Sequence, residues 1–458
     1  MSRTRNARVP RRLPLGRHRR FLITAHMVSR IYGGYKAIQL LGRLVGEQRV
    51  DALYRRQHRH APRLVYRTAT RLEGLLIKAC QFLSARADIL PGEYVEVLSQ
   101  LQDRVPARPF AEIAAVIEHD LGHLLSTVFA AVDEQPLASA SLAQVHRARL
   151  HEGREVAVKV QYPDIAHTVS TDLANLTFFI NMLARLERNL DLRIIIREVS
   201  KYVRLELDFE HEAANAERIR ANLQHRTDVI VPQVLREYSR KRVLVMQYLP
   251  GIKITDVAAL AAAGIDKHDV ARVLSEIFCH QILVDGFFHA DPHPGNILVQ
   301  PGPKLVLLDF GLAKDFPPGF QLLVAELVAS LIEQNPARIV AAFRALGFRT
   351  RSDDGDSLVA LGNAVLGEAL RSRKAYADQE LIDQINRDLP RVLRANPIVE
   401  APSHLLLVMR VMGLLSGIGK QLDSHVDPLA TLLPFVTAPE SGVRGRASGA
   451  GDAISANT

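Results

Sequence analysis

The chain has 458 residues, 48% of them apolar, so it is longer than one average domain and can bury a large core. Its only two cysteines, Cys80 and Cys279, argue against a disulfide framework and a thiolate metal site, and they indicate a reducing compartment. The net charge of +9 is concentrated in residues 1–46, which hold eleven Lys or Arg and no acidic residue. This distribution argues against a nucleic-acid-binding fold, which needs a basic face on a folded domain.

The basic N-terminal segment is predicted in two parts. Residues 1–20 carry Arg and Pro without hydrophobic periodicity, and we expect a disordered basic tail. From His26 to Val45 most apolar residues share one broad face of a helical wheel, so residues 21–65 are predicted as a basic amphipathic helical arm. Such a helix can lie on an anionic membrane surface or dock on the protein body, and the sequence leaves both alternatives open. No apolar run is long enough to span a bilayer, so we expect a cytoplasmic protein, with peripheral membrane association as one alternative.

The rest of the chain is predicted as a helical extension, a small lobe of strands and helices, and a mostly helical lobe. Between Val128 and Val160 apolar and polar residues alternate as in strands, and a turn at residues 151–153 joins two strands in a hairpin. His404 is followed by five apolar residues, 405–409, until Arg410 interrupts them, which predicts a buried core helix. The predicted boundaries are 66–125 for the extension, 126–250 for the small lobe, 251–437 for the helical lobe and 438–458 for a disordered tail.

A strand lysine and the loop before it are predicted to bind phosphate groups. Lys159 ends the sequence Val-Ala-Val-Lys, the pattern of the lysine that pairs the α- and β-phosphates of ATP in kinase-like folds. The loop before it contains no glycine, so we expect its backbone to cover phosphates differently from a glycine-rich loop. The alternative is a packing turn of small residues. The predicted phosphate-binding residues of the loop are Ala138, Ser139, Ala140 and Ser141.

Three side chains between residues 289 and 311 predict the chemistry. Asp291 and Asn296 lie five positions apart, and Asp309 begins an Asp-Phe-Gly sequence after a short apolar strand at 304–308. In this arrangement the first Asp orients the attacking hydroxyl or water, while the Asn and the second Asp hold the magnesium ions that bridge the phosphates. The sequence therefore predicts ATP and Mg²⁺ as cofactors and an α+β, two-lobed protein kinase-like fold with an N-terminal helical extension.

The segment between the lobes and the residues around Asp291 bear on the substrate. Met246 is predicted as the gatekeeper of an interlobe hinge, in which the backbone groups of Gln247 and Leu249 read the adenine edge. Ala290 stands where protein kinases carry an arginine before the catalytic Asp, and no long activation segment or Ala-Pro-Glu sequence follows Asp-Phe-Gly. These differences make a peptide-directed protein Ser/Thr kinase the weaker alternative.

Together these motifs resemble the UbiB/AarF family of atypical kinase-like proteins, which is associated with isoprenoid quinone biosynthesis in bacteria and mitochondria. The resemblance rests on the small-residue loop, the Val-Ala-Val-Lys strand, the His-x-Asp-Pro-His-Pro-Gly-Asn loop, a Glu-x-Asp motif and a Lys-x-x-Gln helix. It implies that this helix covers the cleft where a protein kinase accepts its peptide. Cys80 stands where the family has a glycine in that helix.

The resemblance also implies roles for individual charged residues. Lys78 and Gln81 lie at positions i and i+3, hence on one face of their helix. The implied arrangement pairs Lys78 with Glu206 of the Glu-x-Asp motif, places Asp208 in the same motif, and pairs Lys159 with Glu212.

The expected function is an ATP- and magnesium-dependent enzyme that hydrolyses ATP or phosphorylates a small, lipid-linked acceptor. By resemblance it supports isoprenoid quinone biosynthesis or lipid homeostasis, with an anionic membrane and a lipid or quinone precursor as partners. No nucleic acid or specific protein partner is expected. A non-catalytic nucleotide-binding scaffold is the second alternative, and the intact Lys159, Asp291 and Asp309 argue against it.

Overall fold

The fold is known from a computed structural model, which describes residues 16–42, 44, 46–84, 92–101, 106–187, 193–352, 355–367, 370, 396, 398–400 and 402–437. Most of the predicted tail at 1–20 and all of the tail at 438–458 lie outside these residues. The chain divides into two compact units, the first made of Met1–Phe209 and Tyr238–Val245 and the second of Glu210–Glu237 and Met246–Thr458. In this division residues 210–237 cluster with the second unit and not with the strands that precede them.

Helices dominate the described residues, and several of them begin or end at residues with suitable backbone preferences. The helix that begins at Phe110 ends at Leu121, before Gly122, which adopts the left-handed conformation that glycine tolerates. The helices are α1 (Arg17–Leu41), α2 (Glu47–Leu72), α3 (Leu75–Ser84), α4 (Gly92–Leu98), α5 (Phe110–Leu121), α6 (Leu125–Val128), α7 (Ile165–Leu186), α8 (Arg193–Glu206), α9 (Phe209–Asn222), α10 (Val257–Ala262), α11 (Lys267–His280), α12 (Phe320–Ile332), α13 (Pro336–Ala345), α14 (Asp356–Gly362), α15 (Ser403–Gln421) and α16 (Pro428–Thr437).

The strands are short outside one hairpin. Outside the catalytic loop region the sequence predicted mostly helix after Gly251. Short strands also lie at Ile252–Lys253, Arg349–Thr350 and Ile398–Glu400, and such lengths are too short to show alternation. The strands are β1 (Phe129–Val132), β2 (Ala138–Ser139), β3 (Ala143–Leu150), β4 (Glu155–Gln161), β5 (Val229–Ile230), β6 (Val243–Gln247), β7 (Ile252–Lys253), β8 (Phe287–His289), β9 (Ile297–Gln300), β10 (Lys304–Leu307), β11 (Ala313–Asp315), β12 (Arg349–Thr350) and β13 (Ile398–Glu400).

In the first unit, α1 packs against α2 and α7. It begins at Arg17, so the last residues assigned to the disordered tail are helical. Arg20 is buried, and its guanidinium donates to the Asp172 carboxylate at 2.8 Å and to the Leu72 carbonyl at 2.8 Å. Met27 and Ile38, both on the predicted apolar face, are buried as well. The described helix therefore docks on its own unit, which is one of the two alternatives left open by the sequence.

The sheet of the first unit has the strand order β1-β3-β4-β6, and β2 pairs with β3. The predicted hairpin is confirmed: β3 and β4 are antiparallel, with Val145 opposite Lys159. Val156, Val158 and Val160 are fully buried on one face of β4, and Lys159 lies on the other face, as the alternation of a strand requires.

In the second unit, four strands form a sheet with the order β5-β10-β9-β7, and β8 pairs with β11. The predicted strand before Asp309 is confirmed as β10, which is antiparallel to β9. The predicted core helix is α15, with Leu405, Leu407 and Val411 buried. None of the helices in the described part of the chain combines the length and the apolarity needed to cross a membrane.

Candidate functional site

The loop with Asp291 in the second unit is held at both ends by backbone hydrogen bonds. It leaves β8, where His289 lies opposite Ala313 of β11, and the Ala290 N–H donates to the Leu312 carbonyl at 2.8 Å. The His293 N–H donates to the Asp291 carbonyl at 2.7 Å, and a short turn of 3₁₀ helix then leads into β9. The half-buried Asp291 is thus presented from a constrained turn.

The structure brings Asn296 and Asp309 to the same end of the β9–β10 hairpin. Asn296 immediately precedes β9, Asp309 follows β10 by one residue, and Leu307 lies opposite Ile297. The N–H of Leu308 donates to the Asn296 carbonyl at 3.0 Å, so the two segments remain paired up to the predicted metal ligands. Because the two strands are antiparallel, Asn296 and Asp309 lie at the same end of the hairpin although they are distant in sequence.

The chemistry of these two side chains fits magnesium. An amide oxygen and a carboxylate are hard oxygen ligands, and Mg²⁺ in phosphate-transferring sites is held by one or two protein ligands together with phosphates and water. Within the described ranges, no cluster of three or more His, Cys, Asp or Glu side chains is arranged to hold a metal ion. Asn296 and Asp309 would hold such an ion together with phosphate oxygens.

His289 connects the two aspartate segments. Its Nδ1 accepts a hydrogen bond from the Asp291 N–H at 3.1 Å, and the ring also hydrogen-bonds to the backbone of Asp309. Burial lowers the pKa of His289, although the nearby Asp309 and Asp291 carboxylates raise it. A neutral imidazole that accepts on one nitrogen and donates on the other fits this position. The sequence showed this histidine only as the first residue of the His-x-Asp-Pro-His-Pro-Gly-Asn loop, and the structure gives it a positioning contact.

The Asp-Phe-Gly segment is also held by α9. The Phe310 N–H donates to Oε1 of Glu212 at 3.4 Å, and the amide of Asn215 donates to the Phe310 carbonyl at 2.9 Å. Sequence reasoning missed Asn215, although it lies one turn after Glu212 on the same helix face. The predicted pair between Glu212 and Lys159 joins residues of different units, and it stays a prediction.

In the first unit, Lys159 has an aromatic neighbour. Its Nζ lies 5.2 Å from the ring centroid of Phe209, within the range of a cation–π contact. Phe209 is buried at the start of α9, and no sequence pattern indicated this contact.

The ion pair expected between Lys78 and Glu206 is present. Nζ of Lys78 lies 3.5 Å from Oε1 of Glu206, which ends α8, and both side chains are about one-fifth exposed. Gln81 lies in the same helix, α3, and Asp208 lies in the turn between α8 and α9. Cys80 belongs to a hydrophobic cluster with Leu72 and Leu98, among others, and burial raises the pKa of its thiol to about 12. The thiol at the family's glycine position is therefore packed as a small apolar group.

The small-residue loop is a tight, glycine-free turn. The Ala140 N–H donates to the Ala143 carbonyl at 2.8 Å, and the hydroxyl of Tyr162 donates to the Ala140 carbonyl at 3.0 Å. None of the residues 138–146 has a positive φ, as expected for a loop without glycine. The buried hydroxyl of Ser141 has no hydrogen-bond partner among the described residues, which is an unusual state for a buried donor.

The predicted hinge begins at the end of β6. Met246 is buried and forms a β-bridge with Val234, and the Gln247 N–H donates to the Gln233 carbonyl at 2.8 Å. Leu249 follows in an irregular segment and is half-buried. The Gln247 N–H is thus used within the protein, and the reading of adenine by the backbone of Gln247 and Leu249 stays a prediction.

One charged residue beside Asp291 was not predicted as part of the site. Nη2 of Arg410, in α15, lies 3.0 Å from Oδ1 of Asp291, and the two side chains are 13% and 25% exposed. The sequence showed Arg410 only as an interruption of an apolar helix, and nothing in its spacing from residue 291 indicated the pairing.

The sequence matches the model of the ABC1 atypical kinase-like domain over residues 100–343, more than half of the chain. It is 33% identical over 401 residues to the protein ACTIVITY OF BC1 COMPLEX KINASE 8, chloroplastic, of Arabidopsis thaliana, covering 80% of this chain and 52% of that protein. It is also 33% identical over 367 residues to AarF domain-containing protein kinase 1 of Xenopus tropicalis, covering 77% and 68%. The chain spans between 52% and 68% of the length of such curated relatives.

A solved structure supports the fold. The complex of Rv3197 with erythromycin from Mycobacterium tuberculosis is similar with a TM-score of 0.62 at 24% identity, covering 86% of this chain and all of that chain. Together with the family model, this likeness confirms the predicted kinase-like α+β fold with an N-terminal helical region.

Proposed function

The chain belongs to the ABC1 atypical kinase-like family, and we propose that it is an ATP- and magnesium-dependent enzyme that hydrolyses ATP or transfers its γ-phosphoryl group to a small, lipid-linked acceptor. The observation that carries this proposal is the β9–β10 hairpin, which holds Asn296 and Asp309 together next to the loop with Asp291. Two oxygen ligands and a nearby carboxylate base are the minimal protein groups for phosphoryl transfer from a magnesium-bound nucleotide.

Each residue has a defined task in this proposal. Asp291 accepts a hydrogen bond from the acceptor hydroxyl or water and orients it toward the γ-phosphorus. Asn296 and Asp309 hold magnesium, which when bound neutralises charge on the β- and γ-phosphates. Lys159 pairs with the α- and β-phosphates, and Glu212 is its proposed counter-ion. The remaining proposed nucleotide contacts come from the small-residue loop at 138–141 and from the hinge backbone.

The segment after Asp-Phe-Gly supports a small acceptor. Gly311 is followed within a few residues by β11, and α12 begins at Phe320, so only a short stretch separates the metal ligand from the next helix. Protein kinases build their peptide platform from a longer segment at this point. In the family, the Lys-x-x-Gln helix covers the cleft where a protein kinase accepts its peptide. The ion pair between Lys78 of this helix and Glu206 therefore supports the same conclusion.

Isoprenoid quinone biosynthesis or lipid homeostasis is the proposed pathway, and it rests on the family resemblance. Peripheral association with an anionic membrane is part of this proposal, because a lipid-linked acceptor is presented at such a surface. The excess positive charge of residues 1–46 supports it.

ATP turnover by the purified protein tests the function. We expect slow ADP release that requires magnesium, increases with anionic liposomes or quinone-precursor phenols, and is lost in Asp309→Asn. Asp315→Asn is the matched control, because Asp315 is an exposed carboxylate in β11 that pairs with Arg218. Turnover that is equal in the two variants would contradict the proposal, and efficient phosphorylation of added proteins would favour the protein kinase alternative.

A further inference from the structure

The loop around Asp291 contains no permanent cation of its own. From His289 to Pro303 the sequence has no lysine or arginine, and Ala290 precedes the aspartate. His289 uses its Nδ1 to accept from the Asp291 N–H, and the exposed His293 uses its Nδ1 to accept from the Gly295 N–H. A phosphoryl group brought to Asp291 therefore meets no fixed positive charge from this loop.

Arg410 supplies a guanidinium at that point from a distant part of the chain. Its Nη2 lies 3.0 Å from Oδ1 of Asp291, and only 13% of its side chain is exposed. It sits in the middle of α15, where the buried Leu405, Leu407 and Val411 anchor the helix in the second unit. The charge is thus held on a packed helix and not on a loop.

We propose that Arg410 is a catalytic residue of the transfer step, whose guanidinium contacts the γ-phosphoryl oxygens next to Asp291. This inference rests on the proposed function. A guanidinium has five N–H donors in a planar fork, so the ion pair with Asp291 through Nη2 leaves further N–H groups for other oxygens. An acceptor oxygen bound to Asp291 stands roughly 3–3.5 Å from the phosphorus that it attacks, so the oxygens on that phosphorus lie within reach of the same arginine.

The step conserves atoms and charge. The acceptor O–H gives its proton to the Asp291 carboxylate, and the acceptor oxygen forms a bond to the γ-phosphorus. The bond from that phosphorus to the β–γ bridging oxygen breaks, and its electron pair leaves with ADP. Arg410 keeps its proton throughout and stabilises the charge on the peripheral oxygens, a role for which an arginine contributes about 10³-fold or more to turnover in related phosphoryl transfers.

A purely structural ion pair is the competing explanation, and the second unit offers a matched control for it. Arg226 is similarly shielded, at 15% exposure, and it pairs with Asp228 at 2.6 Å and with Glu276 at 3.1 Å. Arg226→Ala removes a partly buried guanidinium from carboxylates that the proposed reaction does not use. Both Arg410→Ala and Arg226→Ala should lose stability, but only Arg410→Ala should lose turnover beyond that effect.

The test compares Arg410→Ala, Arg410→Lys and Arg226→Ala in the full chain. We expect Arg410→Ala to lower kcat for ATP turnover about 10³-fold or more while nucleotide affinity changes less than about threefold. Arg410→Lys should retain more activity than the alanine variant, because it keeps the charge. Guanidinium chloride at millimolar, non-denaturing concentration should restore at least about tenfold of the lost turnover in Arg410→Ala and none in Arg226→Ala.

Several results would overturn the inference. Unchanged or increased kcat in a folded Arg410→Ala protein would show that the arginine is not needed for transfer. Equal losses in the alanine and lysine variants, with lowered melting temperatures and no response to guanidinium, would show a structural pair. If the unmodified protein hydrolyses ATP and Asp309→Asn abolishes that activity, the results above contradict only the role of Arg410. If the unmodified protein has no ATP turnover, both the role of Arg410 and the proposed function are contradicted.

Discussion

The carboxylate of Asp309 is the side chain on which nucleotide binding should depend most. Asp309→Asn keeps the size of the side chain but removes the charge of a ligand for a hard cation. We expect magnesium–ATP affinity to fall at least about tenfold, or about 1.4 kcal/mol, in titration calorimetry. Affinity measured without magnesium should change less, and Asp315→Asn should bind as the unmodified protein does. Unchanged magnesium–ATP affinity in folded Asp309→Asn would contradict the metal assignment.

His146 in β3 is held as a neutral imidazole by its neighbours. Its Nδ1 donates to the Asp133 carbonyl at 2.7 Å, and its Nε2 accepts from the Gln144 amide at 2.8 Å. Burial lowers the pKa of His146. A second proton on Nε2 would also face the amide N–H of Gln144, so protonation opposes the folded hydrogen-bond pattern.

Stability should therefore fall as the pH drops below about 6.5, the ordinary pKa of histidine. A histidine with a lowered folded pKa binds fewer protons in the folded state, so the free energy of unfolding decreases as the pH falls from the unfolded pKa toward the folded one. Urea unfolding at several pH values between 7.5 and 5 measures this. His146→Gln should weaken the pH dependence, and His151→Gln, at an exposed turn, should not. A pH dependence that survives His146→Gln unchanged would rule out this residue as its source.

Residue types in the catalytic motifs could be recognised from sequence because each role demands a particular side chain at a particular spacing. The contacts from distant segments could not be recognised. Arg410 reaches Asp291, and Asn215 reaches Phe310, only through tertiary packing that no local pattern encodes. The turn chemistry that positions His289 against Asp291 is likewise visible only in three dimensions.

At the scale of elements, the β3–β4 hairpin could be predicted because buried and less buried residues alternate over seven or eight positions in each strand, and a turn with a glycine joins the two strands. Gly153 adopts a φ of 91°, which an L side chain rarely does. The strands β7, β8 and β11 have two or three residues, and their pairing depends on the segments that they meet. Short elements of this kind have no periodicity to detect.

The docking of α1 depends on a buried ion pair. Burial raises the pKa of Asp172 although Arg20 lowers it, so the carboxylate is costly to bury without its partner. We expect Arg20→Ala to lower the free energy of unfolding by about 3–5 kcal/mol. Arg20→Ala combined with Asp172→Asn should recover part of the loss, because the remaining amide carries no charge.

Chemical denaturation measures this pair, with Arg19→Ala as the control. Arg19 is the exposed neighbour in the same turn, and its loss should change stability by no more than about 0.5 kcal/mol. Equal effects of the two single substitutions would show that the pair does not hold α1 in place.

For the whole molecule, the proposed membrane association should depend on the exposed basic residues of α1. Removing the helix would also remove the partner of Asp172, so charge reversal is the sharper test. Each basic residue near an anionic surface contributes about 1 kcal/mol, and reversing three should reduce liposome binding more than tenfold at low salt. The substitutions are Arg17→Glu, Arg19→Glu and Arg30→Glu, all at exposed positions.

The control for this test reverses three exposed charges outside α1, namely Arg220 and Lys304 in the second unit and Arg240 in the first. Binding should survive these changes and should weaken for the unmodified protein as the salt concentration rises. If the two triple variants bind anionic vesicles equally weakly, α1 is not the element that contacts the membrane, and its basic residues are only solvent-exposed.

The chain passes between the two compact units more than once: the first unit takes Met1–Phe209 and then recovers Tyr238–Val245 after the second has begun. The strands β4 and β6 are neighbours in the sheet, but in the sequence a segment of the second unit lies between them. Genetic recombination that cut the coding sequence after residue 209 would leave β4 with an open edge, which invites aggregation. Neither unit can therefore be inherited or exchanged as one uninterrupted stretch of gene, and the two are expected to evolve as a single heritable block.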